Sequence, residues 1–401
     1  MNTAYDYVIV GGGIIGLTTA REILKRAPST KIAIVDKESR LGLHASGRNS
    51  GVLHTGIYYA PGTLKAQFCK AGAEALFDYA TERGIDVRRD GKLIIPSSAH
   101  TQAGMTALLA NAAASGIRAE RIGPEEVTAI EPHARSEFGG IFCPDTAVID
   151  SPAVMAALQR ELAEQNVVFV LGEGVASIDE AAGRLRTPSN ELSFGRLLNS
   201  AGAHADSVAK LTGAGGDYRL LPFKGIYYKL TPDAAHLVRA SIYPVPDPNL
   251  PFLGIHFTRS IKNDVYIGPS AIPALGRENY EGLRGTEPVE TALTLMQLGG
   301  MYLRNHQGFR RLVHKELPHL TAPGFRASAA KLVRELRPEW ISPTKKVGIR
   351  PQLVNTRTHR LEMDFIVEDG RRSLHVLNSI SPAFTSSFAV AGMLADRLMA
   401  N

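Results

Sequence analysis

The sequence predicts an α/β protein in which a parallel-sheet domain, assembled from separated stretches of chain, carries an inserted antiparallel-sheet α+β domain. Three observations predict it. Residues 6–39 read as apolar strand, glycine turn, helix and second strand, a βαβ opening. From Leu221 to about Leu320 the pattern changes to aromatic and β-branched runs separated by Pro and Asn/Asp turns, as in "IYPVPDPNLPFLGIHFTRSIKNDVYIGPS", which suits antiparallel strands. The final stretch, "HVLNSISPAFTSSFAVAGMLADRLMAN", returns to strand, loop and helix. The βα material thus flanks the antiparallel material. The expected division is 1–90, 145–215 and 346–401 for the first domain, and 91–144 and 216–345 for the second.

Taken in order, the first helix shows its buried face as Ile15, Thr19, Ile23 and Leu24, a 3.6-residue period, and Pro28 ends it. The second strand, Lys31 to Asp36, is nearly continuous apolar sequence, as expected of a parallel strand covered on both faces. Leu64, Phe68, Ala71, Leu76 and Tyr79 mark a long helix that closes near Gly84. "DVRRDGKLIIPSS" reads as a hairpin turning at Asp90-Gly91. Helices follow in "QAGMTALLANAAASG" and "GPEEVTAIEPH", then helix and strand in "MAALQRELAEQNVVFVLGEGVASIDE". "GRLLNSAGAHADSVAKLTG" supplies a buried strand, a small-residue turn and another helix.

Composition narrows the class. Apolar residues make up 44% and charged residues 21%, values of an ordinary globular chain, which excludes disordered, fibrous and disulfide-framework proteins. The start "MNTAYDYVIV" lacks a basic leader, and no uncharged apolar run approaches the roughly 18 residues that span a bilayer, so a soluble cytoplasmic protein is expected. Cys69 and Cys143 form no metal-binding spacing, and both read as reduced packing residues. No metal is expected. The net charge of +6 is concentrated in residues 301–350, where eleven Lys or Arg stand against three Glu. Such a segment attracts anionic lipid, acidic substrate or nucleic acid, or is a solvated face. No aromatic-interleaved basic face is present, so nucleic acid is not an expected partner.

Gly11, Gly13 and Gly16 form GxGxxG between the first strand and helix, and Asp36 ends the second strand twenty positions after Gly16. The first glycine serves the tight turn, the second the close approach of a pyrophosphate, and the third helix–strand packing, while the acid accepts from a ribose hydroxyl. This Rossmann-like opening fits NAD or FAD. Ser46, Asn49, Ser50 and the glycines at 42, 47 and 51 then supply a loop suited to a ribityl chain and ring edge. Ser381 to Phe388 open the last helix with small and hydroxyl residues, and a helix N-terminus aimed at the N1–C2=O edge of a flavin stabilises its reduced form. With "LNSAGAHAD" at 198–206, three small-residue segments favour FAD.

With these residues in place, the chain resembles the D-amino-acid-oxidase-type FAD enzymes, and within them the L-2-hydroxyglutarate oxidase/dehydrogenase family. "NSGVLHTGIYYAPGTLKAQFC", "LPFKGIYYKL", "IYPVPDPNLPFLGIHFTR" and "GPSAIPALGRENY" carry the resemblance over nearly the whole length. It implies non-covalent FAD and oxidation of L-2-hydroxyglutarate to 2-oxoglutarate, with electrons passed to oxygen or a respiratory acceptor. The cofactor residues it marks here are Gly11, Gly13, Ile14, Ile15, Gly16, Asp36, Lys37, Ser46, Arg48, Asn49, Ser50, Gly51, Val175, Ala201, Gly202, Asp206, Arg350, Ser381, Pro382, Ala383, Thr385 and Ser386. A related amine or amino-acid oxidase is the alternative.

Oxidising a 2-hydroxy acid requires loss of the hydroxyl proton as C2–H leaves as hydride, and an imidazole suits the first task. His54, between Gly51 and Gly56, is the leading base candidate; His256 in "FLGIHFTR" is its rival. A dicarboxylate needs cationic clamps, for which Lys65, Lys224, Arg259 and Arg350 are candidates. Alternation along "HFTR" puts His256 and Thr258 on one face and Arg259 on the other. Tyr58, Tyr59, Tyr228 and Thr385 are candidates to hydrogen-bond the substrate. In "GFRASAAKLVRELRPEW", Phe325, Ala329, Leu332, Val333 and Leu336 form one apolar face. A basic amphipathic helix of this kind either docks on an anionic membrane, as suits a quinone-reducing enzyme at the inner membrane face, or packs on its own domain. Packing is the favoured reading.

Overall fold

The computed structural model describes residues 3–135, 137–247, 250 and 252–400. Pro248, Asn249 and Pro251 of the proline-rich stretch therefore lie outside the described residues. Two large sheets organise the chain. In the first, Thr3–Val10 lies at the centre, parallel to Ile32–Asp36 on one side and Glu191–Asn199 on the other. Val168–Leu171 extends it beyond Ile32–Asp36, and Ser373–Asn378 pairs in parallel with Glu191–Asn199.

The apolar opening forms the middle of this sheet because both of its faces are covered. Ile9 and Ile34 face a core shared with Leu17 and Ile23 of the helix Ile14–Arg26 and with Val390 and Leu394 of the closing helix Ala383–Met399. Val8, Val10, Ala33 and Val35 face the other way, onto Ile178, Leu185 and Phe194. Single-residue alternation thus sorts a continuous apolar run onto two cores.

The second sheet is antiparallel in most of its pairs and has ten strands among the described residues. Its spine is the pairing of Tyr218–Leu230 with Ile341–Asn355, which runs from Tyr218 opposite Asn355 to Leu230 opposite Ile341 with one register shift between Ile226 and Tyr228. The strands His256–Arg259 and Val265–Gly268 continue it. Residues 346–355 thus belong to this sheet, and the expected boundary at 346 falls inside its longest strand. The expected hairpin about Asp90-Gly91 is also corrected. Val87–Arg89 pairs with Ala147–Ile149 in a small three-stranded sheet, whereas Lys92–Ile95 pairs with Ser241–Pro244 and Gly140–Cys143 in the large one. The turn carries the chain from one layer to the other, and Arg88 braces it by gripping Asp90 with Nε at 2.5 Å and Nη2 at 2.8 Å.

The basic stretch after 320 packs as favoured. Its helix covers only Ala322–Ala329, and Phe325, Ala329, Leu332 and Val333 are buried in the core of the second layer. No described helix is long and apolar enough to cross a membrane. Cys69 and Cys143 are free and buried.

The closing helix meets the helix Leu64–Glu82 at a contact only small residues allow. A Cβ placed on Gly72 would lie 2.5 Å from Ser386 Cα and 2.7 Å from Thr385 O. Alanine favours a helix over glycine by up to ~1 kcal/mol, but here it collides with backbone. Gly72→Ala is therefore expected to lower unfolding stability by about 1–3 kcal/mol. Chemical denaturation checks this, and a stabilised variant would contradict the packing.

Candidate active site and cofactor cavity

Gly11 ends the first strand with φ +101°. A Cβ on Gly16 would lie 2.2 Å from Gly11 O, so turn and helix close on each other as the motif requires. The helix Ile14–Arg26 starts at Gly13, which offers no side-chain cap, and has no acid in its first turn; the neutral Ser46 Oγ accepts from Ile14 N at 3.0 Å. That leaves a positive helix terminus facing a cavity of about 410 Å³. Gly11, Gly13, Ile14, Ile15, Asp36, Lys37, Ser46, Val175, Ala201, Gly202 and Ala383 all line it; Gly16 does not. Asp36 holds the turn rigid: its Oδ2 accepts from Gly12 N at 2.8 Å and its Oδ1 from Glu38 N at 2.9 Å. Beyond the expected residues, Glu38, His44, Glu278 and Tyr280 form one wall. Lys37 Nζ pairs there with Glu38 and, at 2.6 Å, with Glu278. A long groove with a glycine turn, a helix terminus free of acidic caps and a carboxylate at the second strand's end fits the dinucleotide of FAD.

The loop past the second strand is stapled from within. Asn49 donates to Ser46 O at 2.7 Å and accepts from Gly51 N at 2.8 Å and Ser151 Oγ at 2.7 Å. Arg48 donates to Leu43 O at 2.8 Å, with its guanidinium 4.1 Å from the centre of the Tyr280 ring. Arg48, Asn49, Ser50 and Gly51 line a second cavity together with Tyr266 and Lys346.

Several expected site residues are committed elsewhere. Asp206 is buried in a bidentate ion pair with Arg277 and accepts from Leu220 N at 3.1 Å, so it braces the wall rather than meeting a ligand. Ser386 donates to Pro382 O at 3.0 Å in the helix contact described above. Ser381 hydrogen-bonds Tyr59. Thr385 donates to Val52 O at 3.2 Å and accepts from His54 N at 3.3 Å, clamping the short strand that precedes His54. Arg259 turns away, donating to Val238 O at 3.0 Å and to Asn263 at 3.1 Å. Tyr228 packs on Phe325, ring centres 4.8 Å apart, within the second core. Lys224 bonds Asn279 at 2.9 Å and pairs across the sheet with Ile349, which lines the long cavity, so it lies on the opposite strand face from Arg350.

The remaining candidates converge. His256 stacks on Tyr243 at 3.9 Å between ring centres, and His54 meets the edge of the same ring at 6.4 Å. Tyr58 lies parallel to Tyr243 on another side, at 6.4 Å. Burial, reinforced by Lys92, His256 and Arg350, pushes the His54 imidazolium down to about 3. Burial likewise pushes His256 down to about 3, with Arg350 and Lys92 adding to it. His256 Nδ1 lies 2.8 Å from Gly254 O, so the neutral ring carries its proton there and its lone pair on Nε2. His54 Nδ1 is sealed without a hydrogen-bond partner among the described residues. Lys65 is buried 5.6 Å from the Tyr59 ring centre, and burial lowers its ammonium to about 8.

Lys92 belongs to this cluster and no sequence pattern marks it. It is fully buried, its Nζ has no hydrogen-bond partner among the described residues, and it lies 4.5 Å from the Tyr58 ring centre and 5.3 Å from that of Tyr243. Burial depresses its pKa, opposed only by the thiols of Cys143 and Cys69. Lys346, 4.2 Å from the Tyr266 ring centre, is lowered by burial to about 8. Tyr227 also feels the Arg350 charge. Among the described residues no carboxylate acts on His54, His256 or Lys92.

Because both imidazoles are held neutral in the folded chain, while the unfolded chain binds their protons near pH ~6.5, their stabilising effect is complete above that pH. It is lost as pH falls from about 6.5 toward 3, since only the unfolded state takes up the protons. Each imidazole is expected to lower unfolding stability by about 2 kcal/mol between pH 8 and pH 5, and His256→Asn to remove one such share. Denaturant titrations across that range measure it; a variant with the pH dependence of the parent would contradict the buried neutral ring.

A family model described as FAD dependent oxidoreductase (DAO) matches residues 6–397. The mitochondrial L-2-hydroxyglutarate dehydrogenase of Caenorhabditis briggsae is 34% identical, with 97% of this chain and 92% of that protein covered. The human mitochondrial enzyme of that name is 32% identical (99% and 89% covered), and the L-2-hydroxyglutarate dehydrogenase of Escherichia coli K12 is 32% identical (98% and 93%). Among solved structures, L-alpha-glycerophosphate oxidase from Mycoplasma pneumoniae with FAD bound superposes with a TM-score of 0.78 at 20% identity, covering 99% of this chain and 95% of that one. Glycine oxidase from Geobacillus kaustophilus gives 0.72 at 17% identity (100% and 96%). These two likenesses establish the fold, and the glycine turn, the cavity and the converging imidazoles agree with it: the chain belongs to the DAO family of FAD-dependent oxidoreductases, in the group of the L-2-hydroxyglutarate dehydrogenases.

Proposed function

We propose that the protein oxidises the C2 hydroxyl of L-2-hydroxyglutarate to the 2-oxo acid. The observation that carries this reading is the pair of neutral imidazoles, His54 and His256, set against one tyrosine ring beside Lys92, whose charge no carboxylate among the described residues offsets. The relatives named for L-2-hydroxyglutarate favour it over an amine substrate. The first sheet with its glycine turn is the FAD-binding domain, and the second, extended to Asn355, carries the substrate-binding residues.

Bound FAD supplies the acceptor for the C2 hydride. Arg350 clamps a substrate carboxylate next to the imidazoles, and Lys346 and Lys92 add positive potential for a dianion. Lys92 acts by charge, since its Nζ is sealed. The part of His54 left open does not include Nδ1, so proton acceptance is assigned to its Nε2. In the free protein burial and neighbouring cations hold this nitrogen weakly basic. A bound dicarboxylate cancels that charge and returns the imidazole toward its ordinary basicity, so the base is strengthened only when substrate is present. Tyr243 keeps the two rings in place, and Thr385 fixes the backbone that delivers His54. Electrons then pass to oxygen or a quinone.

Anaerobic mixing with L-2-hydroxyglutarate should bleach the flavin and yield 2-oxoglutarate; bleaching by an amino acid with ammonia release would replace this reading with an amine oxidase. His54→Ala should cut turnover by about 10²-fold or more with the flavin retained; unchanged turnover would transfer the base role to His256. Lys92→Met should move the acid limb of the kcat/KM profile up by about one pH unit, because the imidazole loses a cationic neighbour. An unmoved limb would remove Lys92 from the electrostatics of the site.

A further inference from the structure

We propose that residues 276–285 form a clasp that swings clear to admit FAD and closes over it, so that a non-covalent cofactor is retained by a loop from the second layer. The loop is built as one piece. At its neck a Cβ on Gly276 would lie 2.3 Å from Gly285 O, and one on Gly285, where φ is +77°, 2.4 Å from Glu278 O. Inside it the buried Asn279 donates to Gly282 O at 2.7 Å and to Arg284 O at 3.0 Å. A short closed loop stapled by its own side chain moves as a unit. Lys224 of the second sheet donates to Asn279 Oδ1 at 2.9 Å and ties the loop to that layer.

The other side of the loop grips both edges of the crevice in which the dinucleotide fits. Lys37 and His44 follow the strand Ile32–Asp36, and His204 and Asp206 follow Glu191–Asn199, the two neighbours of the central strand. Arg277 pairs with Asp206 and donates to Ala203 O at 2.7 Å. Glu278 reaches both edges, meeting Lys37 at 2.6 Å and His204 at 2.9 Å. Tyr280 OH lies 2.8 Å from His44 Nδ1, and its ring carries the Arg48 guanidinium. Arg277, Glu278 and Tyr280 line the long cavity together with Lys37, His44 and His204, so the cavity is shut by these contacts. A dinucleotide lying between the strand ends and the loop leaves only when one set of them breaks. The grip is graded. Arg277 and Asp206 are buried and serve as the pivot, whereas Glu278, Lys37 and His204 stay partly exposed and form the latch. Hydrogen bonds from His204 and then Lys37 hold the Glu278 carboxyl down to about 2, so the latch stays ionised.

The rates of FAD release from the flavin-loaded protein and of FAD uptake by its apoprotein, both followed by flavin fluorescence, test this. Glu278→Gln and Tyr280→Ala should each speed release on the order of tenfold, since each removes a charge-assisted or aromatic part of the latch. Uptake should speed up as well, because entry no longer waits for the loop to open. High salt should speed release from the parent and do so less in Glu278→Gln. Faster release with unchanged uptake would make these residues fixed walls of the cavity and overturn the clasp, and so would release at the parent's rate in both variants. An apoprotein melting temperature equal to the parent's shows that a variant folds; should Tyr280→Ala not fold, Tyr280→Phe, which removes only the hydroxyl beside His44, is read in its place. None of these readouts depends on which acid is oxidised.

Discussion

Burying two imidazoles and a lysine together, with no carboxylate among them, is the constraint on which the rest of the site depends. Each group costs free energy if charged in a low-dielectric interior, so the histidines stay neutral and burial lowers the pKa of the lysine. The protein meets that cost through packing. Tyr58 and Tyr243 offer their ring faces to Lys92, and Tyr243 offers its own to His256, so one aromatic platform carries all three. The arrangement is left short of negative charge, and a dicarboxylate supplies it.

Placing that cluster takes both sheets. His54 arrives on a short strand that Thr385 of the closing helix holds by its backbone, and the helix can do so only because Gly72 and Ser386 let two helices touch. His256, Tyr243, Lys92 and Arg350 arrive on four strands of the second sheet. The cofactor groove runs along the carboxyl ends of the parallel strands, the place where an open α/β sheet leaves a crevice.

What the sequence makes readable is what depends on near neighbours. The glycine turn, its helix and Asp36 are local, so spacing alone places them on one cavity. Strand alternation likewise separates His256 from Arg259. Tyr228, a candidate to hydrogen-bond the substrate, lies past the register shift between Ile226 and Tyr228 and packs against Phe325, a contact made with a residue remote in sequence. Asp90-Gly91 carries the local signal of a hairpin, yet the strands on either side belong to different sheets, a choice set by distant partners. Lys92 follows that turn with no local pattern to mark it; its strand becomes an interior one between Ser241–Pro244 and Gly140–Cys143, and its side chain ends against Tyr58 and Tyr243. Asp206 and Ser386 have the residue types of cofactor ligands, but their partners, Arg277 and Gly72, are remote in sequence.

The most direct test of the uncompensated chamber is equilibrium binding of 2-oxoglutarate and of 2-oxobutyrate, which lacks the second carboxylate, to the oxidised flavoprotein by calorimetry. The account predicts that the dicarboxylate binds at least about tenfold more tightly, a difference of ~1.4 kcal/mol. Equal affinity for the two acids would contradict it.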